Sequence, residues 1–357
     1  ARPNFMKIAP IIRAIEKAKE NGAKISFSLV HTGQHYDQNM SDQFFLDLNI
    51  PRPTVNLDAG GGSQAEQTAA IMVAFEKYLV NHPTDLVIVV GDVTSTLACS
   101  IVAKKCGIKV AHVEAGIRSG DWTMPEEINR IVTDSITDYF FTTSETANEN
   151  LRKSGIPDEK IFYVGNTMID TLLFNLHRLR KPKIWSTYNL SEKNYFVLTL
   201  HRPSNVDNPE KLEEILQEIS KNSHDFPIVF PVHPRTRQNI IKHRINVSNI
   251  YMCDPLGYLE FMYLVKNAKA VITDSGGITE ETTVLGIPCI TLRNTTERPE
   301  TVTIGTNELI GNDPQAIAPV LDKLFSGDWR KGSIPPLWDG KTADRIISKL
   351  IELYPWN

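Results

Sequence analysis

Val271-Ile272-Thr273-Asp274-Ser275-Gly276-Gly277-Ile278-Thr279-Glu280-Glu281 runs from an apolar, β-branched strand through two glycines directly into a helix. Such a junction is a phosphate cradle. Gly276 and Gly277 let the backbone approach an anion, Ser275 can donate a hydroxyl, and the N–H groups of a helix starting near Ile278 point at negative charge. Glu281 follows about one helical turn later, placed to accept hydrogen bonds from ribose hydroxyls. The pattern points to a nucleotide diphosphate, although Ser-Gly-Gly turns also cap helices that bind nothing.

Outward from this junction, short β-branched runs alternate with amphipathic stretches. Toward the C-terminus, strands are expected at 195–200, 227–232, 249–253, 270–273 and 289–292, with helices near 209–221, 235–244, 258–266, 279–285 and 314–325. The first half repeats the theme. Strands are expected at 24–31, 85–90, 109–114, 139–142 and 161–164, and helices near 8–21, 64–81, 94–105, 126–137 and 145–153. Alternation of this kind gives α/β domains with mostly parallel sheets, which bind ligands beyond the carboxyl ends of their strands. Two similar domains are expected, 1–166 and 167–341, joined through a helix from Thr167 and a Lys-Pro-Lys turn at Lys181–Lys183. A final helix within 342–357 could pack on either.

Composition agrees with this and narrows the partners. At 357 residues the chain exceeds one ordinary core, and 41% hydrophobic with 22% charged residues describes a globular protein. A formal charge of -4 gives no reason to expect nucleic acid or an anionic membrane, so phosphate must be held by local donors. The four cysteines, Cys99, Cys106, Cys253 and Cys289, show no Cys-x-x-Cys pair and read as buried thiols in a reducing, cytoplasmic setting. No apolar run reaches the roughly 18 residues of a membrane span. The start is irregular: Ala1-Arg2-Pro3-Asn4 reads as the turn after a first strand that would lie mid-sheet, so roughly ten further residues are expected upstream.

Candidate chemistry gathers at strand ends. Asp92 follows Val87–Gly91, where capping the next helix is the plain alternative. Glu114 ends Val110-Ala111-His112-Val113-Glu114, with pairing to Arg118 the plain alternative. Pro125-Glu126-Glu127 opens a helix, so one glutamate serves the dipole and the other is open to substrate. Crowding Asp92, Glu114 and Glu126 at one crevice would raise some of their pKa values, allowing a general acid and a general base to coexist. Magnesium ranks lower, because a diphosphate held by the cradle and by arginines needs no ion. His201-Arg202 ends the first strand of the second half, His233-Pro234-Arg235 repeats that placement, and Arg293–Arg298 adds cations.

The ordered set Ala1-Arg2-Pro3, His31-Thr32-Gly33-Gln34-His35, Gly91-Asp92, His112-Val113-Glu114-Ala115-Gly116-Ile117-Arg118, Pro125–Arg130, Gly165-Asn166-Thr167, His201-Arg202, His233-Pro234, Asp274–Gly277 and Thr296–Glu300 resembles the non-hydrolysing UDP-N-acetylglucosamine 2-epimerases. The resemblance spans nearly the whole chain. It implies a glycosyltransferase-B-like architecture, two Rossmann-like domains facing across a cleft, UDP held mainly by the second, a cytoplasmic homodimer, and a part in cell-surface polysaccharide biosynthesis. It implies elimination of UDP to a 2-acetamidoglucal and re-addition, with inversion at C2; no cofactor or metal is expected. By the resemblance Asp92, Glu114, Glu126 and His201 are acid/base residues. Arg2, Lys7 and Arg298 match basic residues of the family's site, Ser275, Gly276 and Gly277 hold phosphate, Glu281 meets ribose, and Phe261 lies near uracil; His233, by its own placement at a strand end, is a further substrate contact. Many bacterial members continue His-Arg with Arg-Glu-Asn and are activated by a second substrate molecule. Here Pro203-Ser204-Asn205 follows His201-Arg202, and Tyr36-Asp37 follows Gln34-His35, so that activation is not expected. A related branch acts on UDP-diacetamido-uronic acids, and a UDP-sugar glycosyltransferase is the alternative outside epimerases.

Overall fold

The computed structural model describes residues 4–33 and 45–354. These form two compact units, one comprising the described residues through Phe174 together with those from Pro336, the other Asn175–Pro335. The helix Thr167–Asn175, which the sequence assigns to the second domain, therefore lies almost wholly in the first unit.

In the first unit, β3 (Leu86–Val90), β4 (Lys109–Val113), β5 (Tyr139–Thr142) and β6 (Ile161–Tyr163) make a parallel sheet in chain order. Its register sets Val90 beside Val113 and Val113 beside Phe141. The strand expected over 24–31 is reduced to β1 (Val30–His31), which pairs with a short strand the sequence does not announce, β2 (Val55–Asn56). Residues 24–28 find no ladder partner among the described residues, and a strand exists only where its N–H and C=O groups are paired. A cavity of about 390 Å³ separates β1 from β3, lined by Phe27, Leu29, Val30, Ile88 and Val90 among others.

The helix Gln64–Asn81 begins with a reciprocal cap, Ser63 Oγ accepting from Glu66 N and the Glu66 carboxylate from Ser63 N. The final helix, Thr342–Leu353, returns to this unit: Ile346 and Leu350 pack on Ile11 and Ile15 of Phe5–Glu20. Asp170 fixes its entry, accepting from Thr342 N at 3.1 Å and Ala343 N at 2.7 Å. Those two N–H groups lie in the helix's first turn, where no intrahelical acceptor exists.

The second unit is one six-stranded parallel sheet in the order β12-β11-β10-β7-β8-β9, where β7 is Phe196–Thr199, β8 Ile228–Pro231, β9 Ile250–Cys253, β10 Ala270–Thr273, β11 Cys289–Thr291 and β12 Asn307–Leu309. The order in which strands are added across the sheet reverses between β7 and β10, the switch point at which open α/β sheets bind ligands. Phe196, Leu198, Phe230, Ile272 and Ile290 are fully buried in its core, each contributing about 1.5–3 kcal/mol by leaving water. Cys99 and Cys289 are buried as expected, but Cys106 is exposed at the end of the helix Thr94–Lys105. Among the described residues no helix is long and apolar enough to cross a membrane.

Candidate active site

In the first unit the site is built at the carboxyl ends of β3 and β4. Gly91 leaves β3 with φ +71°, and a Cβ there would stand 2.9 Å from Lys7 Nζ and 3.3 Å from Asn4. Glycine takes that torsion without strain and leaves the space to Lys7 and Asn4. Asn4 Nδ2 donates to the Val90 carbonyl at 2.8 Å, and Lys7 Nζ forms an ion pair with Glu114 Oε2 at 2.7 Å.

Glu114 has φ +70°, a conformation that costs a non-glycine residue about 1–3 kcal/mol. The cause is a bulge: Glu114 N and Ala115 N both donate to the Phe141 carbonyl, at 3.0 and 3.1 Å. The extra residue turns the buried Glu114 carboxylate onto Lys7. Arg118, its alternative partner, instead donates to Asp134 at 2.6 Å.

Asp92 is not a helix cap, since Val93 holds that position without a side-chain bond. Its Oδ2 accepts from Arg130 Nε at 3.0 Å and Nη2 at 2.6 Å, while Asn129 Nδ2 donates to its carbonyl at 2.9 Å. Asp92 and Glu114 are thus matched to separate cations rather than left to repel each other. The helix Pro125–Ile136 also separates its two glutamates by role. Glu127 is buried and accepts from Ser119 N, Ser119 Oγ, Gly120 N and Arg130 Nη1. Burial opposes its ionisation, yet these hydrogen bonds hold its carboxyl below the usual value. Glu126 is half-buried, with no side-chain hydrogen bond among the described residues.

One pair here escapes sequence reasoning. His112 Nδ1 lies 2.7 Å from Asp134 Oδ1 and its Nε2 lies 2.8 Å from the Gly91 carbonyl, inside the sheet. Asp134 Oδ2 also accepts from Gly116 N at 3.1 Å. Full burial works against the Asp134 charge, but His112 and Arg118 outweigh it and keep the carboxyl below its ordinary range. The advance signal is a histidine inside the apolar run 110–113.

In the second unit, His201 and Arg202 follow β7 and Asp274 and Ser275 follow β10, so they share the switch point. The helix begins at Gly276, two residues earlier than expected, and Ser275 makes no side-chain cap. Its hydroxyl is not taken up by helix capping. Gly276 is not in a left-handed conformation, and a Cβ there would meet Arg293 and Glu297 at 3.5 Å, an ordinary contact. Neither a torsion nor a steric clash therefore requires glycine at this position. Arg293 makes two hydrogen bonds to Glu297, at 2.7 and 2.8 Å, and Arg202 approaches the same carboxylate at 3.5 Å.

Glu281 is buried and accepts from Tyr258 Oη at 3.1 Å, and Phe261 is buried on the same helix as that tyrosine, Tyr258–Asn267. Arg298 is paired with the buried Glu280. His233 is exposed beyond β8, and Arg2, with the Gln34-His35-Tyr36-Asp37 segment, lies outside the described residues. Among the described residues no group of three His, Cys, Asp or Glu side chains is arranged to hold a metal ion.

Comparison with known proteins follows this geometry. Residues 17–351 match the family model described as UDP-N-acetylglucosamine 2-epimerase. The chain is 42% identical to the UDP-N-acetylglucosamine 2-epimerase of Methanocaldococcus jannaschii, covering 97% of this chain and 95% of that protein. It is 39% identical to the UDP-2,3-diacetamido-2,3-dideoxy-D-glucuronate 2-epimerase of Pseudomonas aeruginosa, covering 87% and 86%. A crystal structure of the M. jannaschii epimerase in complex with UDP-GlcNAc and UDP superposes with a TM-score of 0.87 at 42% identity, covering 98% of this chain and 96% of that one.

Proposed function

The chain belongs to the UDP-N-acetylglucosamine 2-epimerase family, and from that premise we propose that it interconverts UDP-N-acetylglucosamine and UDP-N-acetylmannosamine. The proton at C2 passes to a carboxylate as the C1–O bond breaks, its electron pair leaving on the β-phosphate of UDP and a C1–C2 double bond forming. UDP then adds back to C1 while C2 takes a proton on its opposite face. Asp92, Glu114 and Glu126 are the acid/base groups of this reading and His201 a further proton carrier. Ser275, Gly276 and Gly277 hold the diphosphate at the helix end, Glu281 the ribose and Phe261 the uracil, with Arg2, Lys7, His233 and Arg298 as further contacts.

What carries the reading is Glu114, held in a strained left-handed bulge against Lys7 on the strand next to an Arg130-clamped Asp92. A glycosyltransferase would need an acceptor groove and rarely has such carboxylates in its first domain, and a nucleotide-sugar sensor has no reason to gather them at the sugar. The 39% identity to a diacetamido-uronate epimerase favours one second reading, the same reaction on that sugar.

The test is incubation with UDP-N-acetylglucosamine in D2O, followed by NMR at C1 and C2. Deuterium at C2 together with UDP-N-acetylmannosamine is the expected outcome. No exchange refutes the epimerase on this sugar, and exchange seen only with the diacetamido-uronate substrate selects the second reading. Release of free N-acetylmannosamine would instead mark hydrolysis. The reading includes a cytoplasmic homodimer, for which the exposed Trp122 and Ile128 beside Met72 offer an apolar face. Light scattering at twice the chain mass is its check.

A further inference from the structure

Asp274 is fully buried and is the hub of the switch point. His201 N approaches both of its oxygens at 3.1 Å, Arg202 N donates to Oδ2 at 2.9 Å, Asn205 Nδ2 to Oδ2 at 3.2 Å, and His201 Nδ1 lies 2.8 Å from Oδ1. One carboxylate thus receives the backbone leaving β7 and the imidazole that follows it. The His201 side chain remains one-third exposed, at 33%, and among the described residues its Nε2 has no hydrogen-bond partner. We propose that Asp274 is the positioning residue for His201, accepting the Nδ1 proton so that Nε2 is the nitrogen presented to a bound UDP-sugar.

The chemistry follows from the two imidazole nitrogens. A carboxylate can only accept, so the nitrogen beside it must carry hydrogen, and in the neutral ring the lone pair is then on Nε2. Burial works against the Asp274 charge, but the His201, Arg202 and Asn205 hydrogen bonds more than compensate and hold the carboxyl below its ordinary range. It is therefore an acceptor throughout the neutral range. The backbone bonds fix where the carboxylate sits, and the carboxylate fixes the ring. A merely structural Asp274 would tie the two loops together without selecting a tautomer. The consequence for turnover rests on the proton-carrying role of His201 proposed above; the tautomer does not.

The experiment is nitrogen NMR of ring-labelled histidine in the full chain, with His201 assigned by loss of its signals in His201→Gln. The neutral ring is expected with hydrogen on Nδ1. Asp274→Asn should reverse this. Its oxygen stays at the Oδ2 position, where it accepts from Arg202 and Asn205, and its NH2 faces Nδ1 and forces hydrogen onto Nε2. In that variant kcat should fall about 100-fold or more with KM changed only a few-fold, as for other misoriented acid/base histidines. Hydrogen on Nε2 in the unsubstituted protein overturns the proposal, a result independent of whether Asp274→Asn folds. Reversal of the tautomer with turnover unchanged would sustain the positioning and remove His201 from the reaction.

Discussion

Replacing Asp134 by alanine and by asparagine distinguishes a charge-dependent clamp from simple space filling. In the native site Asp134 receives His112 Nδ1 and Arg118 Nη1 at 2.7 and 2.6 Å and the Gly116 amide at 3.1 Å. Alanine strands all three donors. The His112 ring and the Gly116 amide are buried, each losing about 1–3 kcal/mol, and Arg118 loses a charged partner, so a total of about 4–6 kcal/mol is expected. Asparagine differs. Its oxygen keeps Gly116 and Arg118, while its NH2 donates to His112 Nδ1 and the ring carries its hydrogen on Nε2, toward the Gly91 carbonyl. Only charge assistance is lost, about 1–2 kcal/mol.

For a unit of this size about 2–4 °C of Tm accompanies each kcal/mol, so thermal unfolding near pH 7 should show losses of about 8–24 °C for alanine and about 2–8 °C for asparagine. Acid adds a second arm. The folded Asp134 ionises below its unfolded value of 3.8, so its stabilisation is complete above that pH and is lost as pH falls below it. Asp134→Asn should therefore lose less stability than the unsubstituted protein on acidification through that range. Equal losses for alanine and asparagine at neutral pH, or an unchanged acid slope in asparagine, would refute the clamp.

Asp92→Asn and Glu126→Gln should each lower turnover by about 100-fold or more while UDP binding by calorimetry stays intact; unchanged turnover in both removes these residues from the chemistry. Arg130→Gln removes two hydrogen bonds to Asp92 and should cut kcat about 100-fold even though Arg130 is itself buried. Steady-state kinetics would decide that case, a KM effect alone being the contrary result. Gly165→Ala places a Cβ 2.1 Å from the Leu337 carbonyl at a residue with φ +103°, and should cost more than about 3 kcal/mol in denaturant unfolding. A midpoint within error of the unsubstituted protein would contradict that close approach.

Most of the fold is readable because hydrophobic period and punctuation agree. Gln64–Asn81, Thr94–Lys105, Glu145–Lys153 and Pro209–Lys221 end where the amphipathic pattern does, and β5 and β10 match their apolar runs. The missed strands, Val55–Asn56 and Asn307–Leu309, are two and three residues long and partly polar, so no period develops in them. They become strands only because a neighbour supplies a ladder, a tertiary fact. The early start at Gly276 has a similar origin: first-turn N–H groups need no intrahelical partner, so glycine is tolerated there despite its poor helix propensity.

The site is legible as residue types at strand ends and illegible as partnerships. Glu126 and Glu127 are equivalent in sequence, adjacent acids in one first turn. What separates them is the loop at Ser119 and Gly120, which brings two amides and a hydroxyl to Glu127. Arg118 and Glu114 are near in sequence and apart in partners, because the bulge at Glu114 turns its carboxylate to Lys7, 107 residues away. Asp134 meets His112 across 22 residues, and Asp274 meets His201 across 73. In both pairs a carboxylate that sequence alone reads as helix surface or strand end instead sets the direction of an imidazole. Charges that touch a substrate can be inferred from where strands end, whereas charges that aim those charges depend on register, which no local pattern encodes.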